Sequence, residues 1–251
     1  PAARGYGNGS LSIGYQALAG ANVYTGAAND PSPYNDTPAT INNYAQWGDA
    51  AIGLRAVATG GNATALGRSA RAAAANAIAI GGGNGSDANN NTEKTEATGE
   101  KSTAIGYNAK AGAEKSTAIG AGATALGESA FAGSGATASG SYSVAIGKAT
   151  ASGGQSISIG KDSEATDNGT IAAGDRSKAK AGGGIAIGYD GQALNINATA
   201  VGSEAHATGK QSAAYGFKSQ ASEQDATAIG SNAIASAVRT TALGVNAQAL
   251  G

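Results

Sequence analysis

Apolar and small residues recur along the chain at every fourteenth position. Stepping by 14 from Ile159 reaches a series of positions that are each followed by Gly: Ala173, Ile187, Val201, Tyr215, Ile229 and Leu243. The same motif, an apolar residue between a small residue and Gly, recurs at Ile13, Ile52, Leu66, Ile80, Ile105, Ile119, Leu126 and Ile146. A fixed period across nearly the whole chain indicates one structural unit that is repeated and stacked.

The pattern inside one repeat predicts two short strands. We number the Ile-type position 0; position −1 is Ala in most repeats, position +1 is Gly, and position −2 is β-branched or small. Positions +4 and +6 are again small, and +6 is usually Ala. Because side chains alternate between the two faces of a strand, positions −2 and 0 share one face and position −1 lies on the other. Each coil is therefore predicted to be a flattened loop whose two Ala faces oppose each other.

Composition supports a thin core and excludes several classes of protein. The 251 residues include 41 Gly and no Cys, and the net charge is −1. Without Cys the fold cannot depend on disulfides, and the near-neutral charge argues against a nucleic-acid partner. The chain contains no Met and stops in mid-repeat, so we expect it to be a fragment of a longer precursor.

The β-branched face of the repeats points away from the Ala core. Stacked coils would align it into an apolar stripe, and a soluble monomer rarely exposes a contiguous patch larger than a few hundred Å². The stripe is either covered by a helix of the same chain or buried between copies of the chain. Because no amphipathic segment could supply such a helix, we favour a symmetric homo-oligomer. The period alone leaves dimer and trimer open.

A first interruption of the period lies between Ile13 and Ile52, which are two periods and 11 further positions apart. This insertion, at about 20–50, holds three of the four Pro residues and the only Trp. Pro cannot donate to a strand ladder, so regular coils are not expected there. The segment is either a cap over the first coils or a loop that contacts a ligand. The candidate ligand-contact residues are Tyr24, Tyr34, Tyr44, Trp47 and, in a later repeat, Tyr142.

A second interruption lies between Ile80 and Ile105, which are one period and again 11 further positions apart. Residues 82–101 are rich in Asn, Gly, Thr and Glu and predict a polar surface loop. His206 is the single His, and it falls at position +5, on a face predicted to be exposed to solvent. We therefore predict no catalytic residue, no cofactor and no metal site.

The Ser-x-Ala-Ile-Gly motif, with small residues at +4 and +6 and a Gly-rich corner, resembles the head repeat of the YadA-like trimeric autotransporter adhesins of Gram-negative bacteria. The clearest copies are 102–106, 116–120 and 143–147. The resemblance covers roughly residues 10–19, 50–81 and 101–251.

This resemblance implies an all-β fold, a single-stranded left-handed parallel β-roll of 14-residue coils, assembled as a homotrimer and spanning residues 1–251 as one head domain. It implies a non-enzymatic adhesin, held at the bacterial outer membrane by a C-terminal anchor, that binds host extracellular matrix proteins or cell-surface receptors. No small-molecule substrate is implied. The predicted trimer core is formed by Ile105, Ile119, Ile146, Ile159, Ile187, Val201, Ile229 and Leu243.

Other readings stay open beside the adhesin. A left-handed β-helix acyltransferase has hexapeptide turns, and 14 is not a multiple of six. A structural solenoid, such as an ice-binding or a self-associating surface-layer protein, is the main alternative, although ice binding needs flat ranks of Thr-x-Thr. Some relatives bind collagen through an Asn-Ser-Val-Ala-Ile-Gly motif. Residues 142–147 match it except that Tyr142 replaces the Asn, so collagen binding is also open.

Overall fold

Parallel strands of two and three residues alternate throughout the structure. The computed structural model describes residues 3–5, 10–20, 48–83 and 94–251, and no helix occurs among them. In particular, none of these residues forms a helix that is long and apolar enough to cross a membrane. The chain divides into two compact units, residues 1–110 and 111–251. The predicted parallel β-solenoid, with two short strands in each coil, is confirmed.

The first unit contains two sheets. Its two-residue strands are β1 (Arg4–Gly5), β3 (Leu18–Ala19), β5 (Val57–Ala58), β7 (Arg71–Ala72) and β9 (Glu96–Ala97). Its three-residue strands are β2 (Leu11–Ile13), β4 (Ala50–Ile52), β6 (Thr64–Leu66), β8 (Ile78–Ile80) and β10 (Thr103–Ile105). Strand β11 (Lys110–Ala111) lies at the division between the units. Each strand pairs in parallel with the strand two further along the chain, so one sheet holds the even strands and the other the odd strands.

The second unit repeats the same arrangement. Its three-residue strands are β12 (Thr117–Ile119), β14 (Phe131–Gly133), β16 (Val144–Ile146), β18 (Ile157–Ile159), β20 (Ile171–Ala173), β22 (Ile185–Ile187), β24 (Thr199–Val201), β26 (Ala213–Tyr215), β28 (Thr227–Ile229) and β30 (Thr241–Leu243). Its two-residue strands are β13 (Thr124–Ala125), β15 (Thr137–Ala138), β17 (Thr150–Ala151), β19 (Glu164–Ala165), β21 (Lys178–Ala179), β23 (Gln192–Ala193), β25 (His206–Ala207), β27 (Gln220–Ala221), β29 (Ile234–Ala235) and β31 (Gln248–Ala249).

Alanine forms the core between the two sheets. At positions −1, +4 and +6 the Ala side chains are inaccessible to solvent, as at Ala200, Ala205 and Ala207 of one coil. In several of the coils with Ser at position −3, the hydroxyl group donates to the first carbonyl of its own turn, as from Ser116 Oγ to Ala113 O at 2.7 Å, whereas Ser102 Oγ has no partner. The core therefore has room for a methyl or hydroxymethyl group at each position, and the few polar groups inside it are largely satisfied by the turns.

Both corners of a coil are β-turns whose third residue has a positive φ. At the corner after position 0, Asp190 has a φ of 51° and Gly191 N donates to Gly188 O at 3.3 Å. At the opposite corner, Lys115 has a φ of 56° and Ser116 N donates to Ala113 O at 3.2 Å. A positive φ at this place is the mark of a type II turn. Polar residues such as Asn, Asp and Lys fill it in most coils because the side chain projects into solvent.

Two coils are one residue shorter than the sequence period. Gly133, Ile146 and Ile159 are register partners, although each lies one position short of a full period from the next. In both coils the residue is lost at the corner after position 0, where two consecutive residues have positive φ. These residues are Ser134 and Gly135 in the first coil and Gly147 and Lys148 in the second. Leu126, which the motif places at position 0, instead follows the two-residue strand β13, half a coil after Ile119. Gly133 takes position 0 of the next coil, as the register partner of Ile119, so the assignment of Leu126 to position 0 is wrong.

The insertions enter the solenoid at different corners. Ile13 pairs directly with Ile52, so their coils are adjacent and the first insertion is one full period longer than predicted. It falls between β3 and β4, and residues 21–47 lie outside the described part of the chain. The second insertion falls between β8 and β9, and its residues 84–93 lie outside the described part of the chain. β9, at the end of the segment predicted as a loop, pairs with β7 as a regular strand.

Gly216→Ala is expected to destabilise the second unit strongly. The φ of Gly216 is +129°, and a Cβ atom added there would lie 2.6 Å from Gly230 O of the next coil. Strained backbone of this kind costs about 1–3 kcal/mol, to which the collision adds. The matched control is Gly182→Ala, because Gly182 has an ordinary φ and the nearest atom to its added Cβ is 3.8 Å away. Thermal unfolding followed by circular dichroism measures both; equal midpoints for the two variants would contradict this account of the corner.

Candidate interaction surface

The structure aligns position 0 of successive coils into one column on the outer face of the three-residue strands. In the second unit the column is built from in-register partners. Its members are Ile119, Gly133, Ile146, Ile159, Ala173, Ile187, Val201, Tyr215, Ile229 and Leu243. Seven of the eight predicted core residues are therefore brought together. The eighth, Ile105, lies in the first unit, where Ile80 is its register partner.

These side chains are exposed in the single chain. The isoleucines of the column at 119, 146, 159, 187 and 229 retain between 39% and 42% of their accessible surface, whereas the Ala or Ser residues beside them at position −1 are buried. Val201 and Ile105 are half-buried, and Leu243 on the last strand of the second unit is largely exposed. Half-exposed aliphatic groups in a continuous row form the kind of apolar patch that marks an interaction site.

Position −2 forms a second column beside the first. In the second unit it contains half-buried β-branched residues in most coils, such as Val144, Ile157 and Ile171. Phe131 stands at this position in the coil whose position 0 is Gly133. A Cβ atom added to Gly133 would lie 3.6 Å from Phe131 Cε1, so the Phe ring occupies part of the space that the missing side chain leaves. The large side chain at position −2 thus compensates for the missing side chain at position 0, and the apolar surface continues across this coil.

Aromatic residues at position +2 border this surface. Tyr189 and Phe217 are about half exposed, and each ring is covered by a cation. The Arg176 guanidinium carbon lies 4.4 Å from the Tyr189 ring centroid, and Lys218 Nζ lies 4.9 Å from that of Phe217. The prediction of site residues missed both, although their place two residues after position 0 was visible in the repeat. We name the surface made of positions −2, 0 and +2 the apolar face.

Tyr142 is the one predicted ligand-contact residue that falls in the described part of the chain. Its side chain is exposed, and its hydroxyl group donates to Glu128 Oε1 at 3.4 Å. The neighbouring Ser143 and Ala145 of the collagen-like motif point into the core, where Ser143 Oγ donates to Gly140 O. The other predicted contact residues, Tyr24, Tyr34, Tyr44 and Trp47, lie outside the described residues.

The face at position +5 is half-buried rather than fully exposed to solvent. His206 stands between its register partners Gln192 and Gln220, and its Nε2 atom is buried without a hydrogen-bond partner. Because the coils stack in register, the side chains of the two neighbouring coils partly cover each side chain at position +5. The alternation of faces along the sequence does not reveal this cover. In residues 3–5, 10–20, 48–83 and 94–251, no group of three or more His, Cys, Asp or Glu side chains is placed to hold a metal ion.

Comparison with protein families agrees with this geometry. The model of the YadA head domain repeat, which describes two copies of the repeat, matches more than half of the chain. The matched segments are residues 58–84, 97–123, 132–150, 151–177, 193–219, 221–247 and 235–251. The chain belongs to the YadA head repeat family. The resemblance of the Ser-x-Ala-Ile-Gly motif to this family is thereby confirmed. No curated protein matches the chain.

Membership in the YadA head family classifies the protein. Its head repeats indicate an adhesin-like surface protein of the trimeric autotransporter type, exposed on a bacterium. The family is one of adhesins rather than enzymes. Most matched segments span two coils, so the family's unit of two repeats corresponds to two consecutive turns of the solenoid.

Proposed function

We propose that three copies of the chain pack their apolar faces around a common axis and form the head of an adhesin. The observation that carries the proposal is the column of half-exposed isoleucines at position 0, which a single chain leaves in contact with water. In such a trimer Ile105, Ile119, Ile146, Ile159, Ile187, Val201, Ile229 and Leu243 become core residues. The left-handed winding of the coils, and one head domain over residues 1–251 with insertions at about 20–50 and 82–101, belong to the same proposal.

The size of the apolar face supports association. The second unit contributes ten three-residue strands, and parallel strands lie about 4.8 Å apart, so the face extends for about 43 Å. Positions −2 and 0 give it a width of roughly 7–10 Å. The resulting patch of roughly 400 Å² falls in the range that marks an interaction site on a soluble protein. Burying it at about 25 cal/mol per Å² would contribute roughly 10 kcal/mol per chain before the costs of association.

We further propose that the assembled head attaches a bacterium to host extracellular matrix proteins or cell-surface receptors. The apolar face is occupied by the sister chains in this arrangement, which leaves the polar corners and the outer face of the two-residue strands for the host. A repeated surface on three chains can bind through many weak contacts, and avidity then exceeds the affinity of any single contact. In this proposal the head is connected to the membrane only through a C-terminal anchor.

Binding of the purified chain to immobilised collagen, fibronectin and laminin and to epithelial cells tests this function. We expect saturable binding to at least one of them, with a dissociation rate that rises at least tenfold in a variant that cannot trimerise, because avidity is lost. A variant in which two residues replace 21–47 restores the regular coil length and shows whether the first insertion takes part. Absence of binding to the whole panel by a trimeric head would contradict the proposed adhesion to host surfaces.

A further inference from the structure

One carboxyl group lies inside the alanine core. Asp49 is fully buried, and it is the only charged side chain among the buried residues of the described chain. It stands at position −3 of the coil of Ile52, two residues after the end of the undescribed segment 21–47. In other coils this position holds small residues such as Ser102, Ser116 and Ser143. A carboxyl group is the exception at a place that otherwise accepts a hydroxyl or methyl group.

The two oxygens of Asp49 have unequal surroundings. Oδ1 accepts hydrogen bonds from the next coil, from Gly61 N at 3.0 Å and from Ala63 N at 2.7 Å. Oδ2 is buried and has no hydrogen-bond partner. An ionised carboxylate delocalises its charge over both oxygens, so one of them would carry charge in a dry and unpaired place. A neutral carboxyl group suits these surroundings better, because Oδ1 then acts as a carbonyl acceptor and Oδ2 carries the proton.

The electrostatic surroundings agree with this. Desolvation raises the pKa of Asp49 above its usual value. The hydrogen bonds from Ala63 N and Gly61 N, and the nearby backbone of Gly20, whose N–H group donates to Ala58 O, oppose the rise without cancelling it. The strands packed against β4, namely β2, β3, β5 and β6, carry no charged side chain. The turn after β5, at the same corner as Asp49, carries no titratable side chain. Tyr15, Arg55 and Arg68 lie on turns at the opposite corner, and none of them contributes to the shift.

We propose that Asp49 is a proton-operated clamp at the point where the chain re-enters the solenoid after the first insertion. With the proton on Oδ2, the side chain holds the corner at Gly61 and Ala63 against the coil of Ile52. Loss of the proton places a charge in the core and loosens that contact. The first coils are therefore held more tightly when Asp49 is protonated than when it is ionised. This contact lies within one chain and does not depend on the trimer or on host binding.

The direction of the pH effect follows from linkage. Because the pKa is higher in the folded than in the unfolded chain, the folded state binds more protons between the two values. Stability from Asp49 is therefore fully present below the unfolded value and is lost as the pH rises through the folded value. Asp49→Asn, which cannot ionise and keeps an acceptor oxygen, should fix the clamp in its tight state.

Hydrogen exchange on the full chain tests the clamp. Protection of the peptide that contains Gly61 and Ala63 is measured at pH 5 and pH 7.5 and corrected for the intrinsic exchange rates. We expect the protection of the wild-type chain to be roughly threefold or more higher at pH 5, and that of Asp49→Asn to be high and equal at both values. Asp49→Ser, which installs the residue of the equivalent coils, should also remove the pH dependence and serves if the Asn variant does not fold.

Asp167 provides the matched control. Its exposed carboxylate bridges two coils in a similar way, with Oδ2 accepting from Gly182 N at 3.0 Å. Asp167→Asn should leave the pH dependence at Gly61 and Ala63 as in the wild type. The clamp is refuted if the wild-type protection at these two residues is equal or lower at pH 5. Protection of Asp49→Asn below the wild type at pH 7.5 would show instead that the ionised carboxylate is the acceptor, and would also overturn the proposal.

Discussion

Replacing Ile187 by Asp is expected to dissociate the assembled protein into single chains. Ile187 lies in the middle of the apolar column of the second unit, between Ala173 and Val201, and the proposed trimer buries it. An unpaired carboxylate in an apolar environment costs several kcal/mol, and the trimer would contain three of them close to its axis. Light scattering coupled to gel filtration should show a fall from the mass of three chains to that of one, with retained β-structure.

The control for this prediction places the same residue on the opposite sheet. Gln220→Asp introduces a carboxylate at position +5 of strand β27, outside the apolar face, and Gln220 is exposed although most residues at this position are half-buried. Its mass should remain that of the wild type. If Ile187→Asp also keeps the oligomeric mass, the apolar face is not the interface and the assignment of the core residues fails.

The second large effect is expected from Ala207→Leu. Ala207 is inaccessible to solvent and lies between its register partners Ala193 and Ala221 in a sheet that faces other Ala side chains. Overfilling an ordinary core costs about 1–3 kcal/mol, and the cost should be at the upper end or beyond it here because neither sheet can retreat without breaking its ladder. Circular dichroism should show loss of β-structure or a thermal midpoint lowered by many degrees.

Ala173→Leu is the matched control, because it makes the same change, Ala to Leu, on the outer face of a strand instead of the inner face. Ala173 stands at position 0, where its register partners are Ile159 and Ile187. A larger aliphatic residue at that position continues the column, so the variant should fold with the spectrum of the wild type. Similar damage from both substitutions would mean that the two faces of the strands do not differ as described.

The local architecture was predictable because every repeat shows the same alternation of small inner and larger outer side chains. The small residues at −1, +4 and +6 identify the inner faces, and the alternation of side chains alone puts Ile187 and Ile229 on the outer face. The departures from the regular repeat were harder to predict from the sequence. Leu126 matched the motif, yet it follows the two-residue strand β13, and the register partner of Ile119 in the next coil is Gly133. The two coils shortened by one residue were also not predicted.

The composition of the apolar face was only partly predictable. The compensation of Gly133 by Phe131 depends on how far the Phe ring reaches along β14 from position −2 towards position 0, and the sequence does not give that direction. The cations over Tyr189 and Phe217 depend on the turn geometry that directs Arg176 and Lys218. The burial of Asp49 was likewise not predicted, because the groups that bind its carboxyl oxygen, Gly61 N and Ala63 N, belong to the next coil.

The sequence by itself determined the period, the two short strands in each coil, the alanine core and the family, because each of these follows from a local pattern that is repeated. Only the tertiary structure decided which coils are neighbours, where a coil is shortened, and which side chains outside the core remain half-exposed. These properties arise from pairing between residues about one coil apart, and such pairing is set by the register of the sheets rather than by any local run of residues.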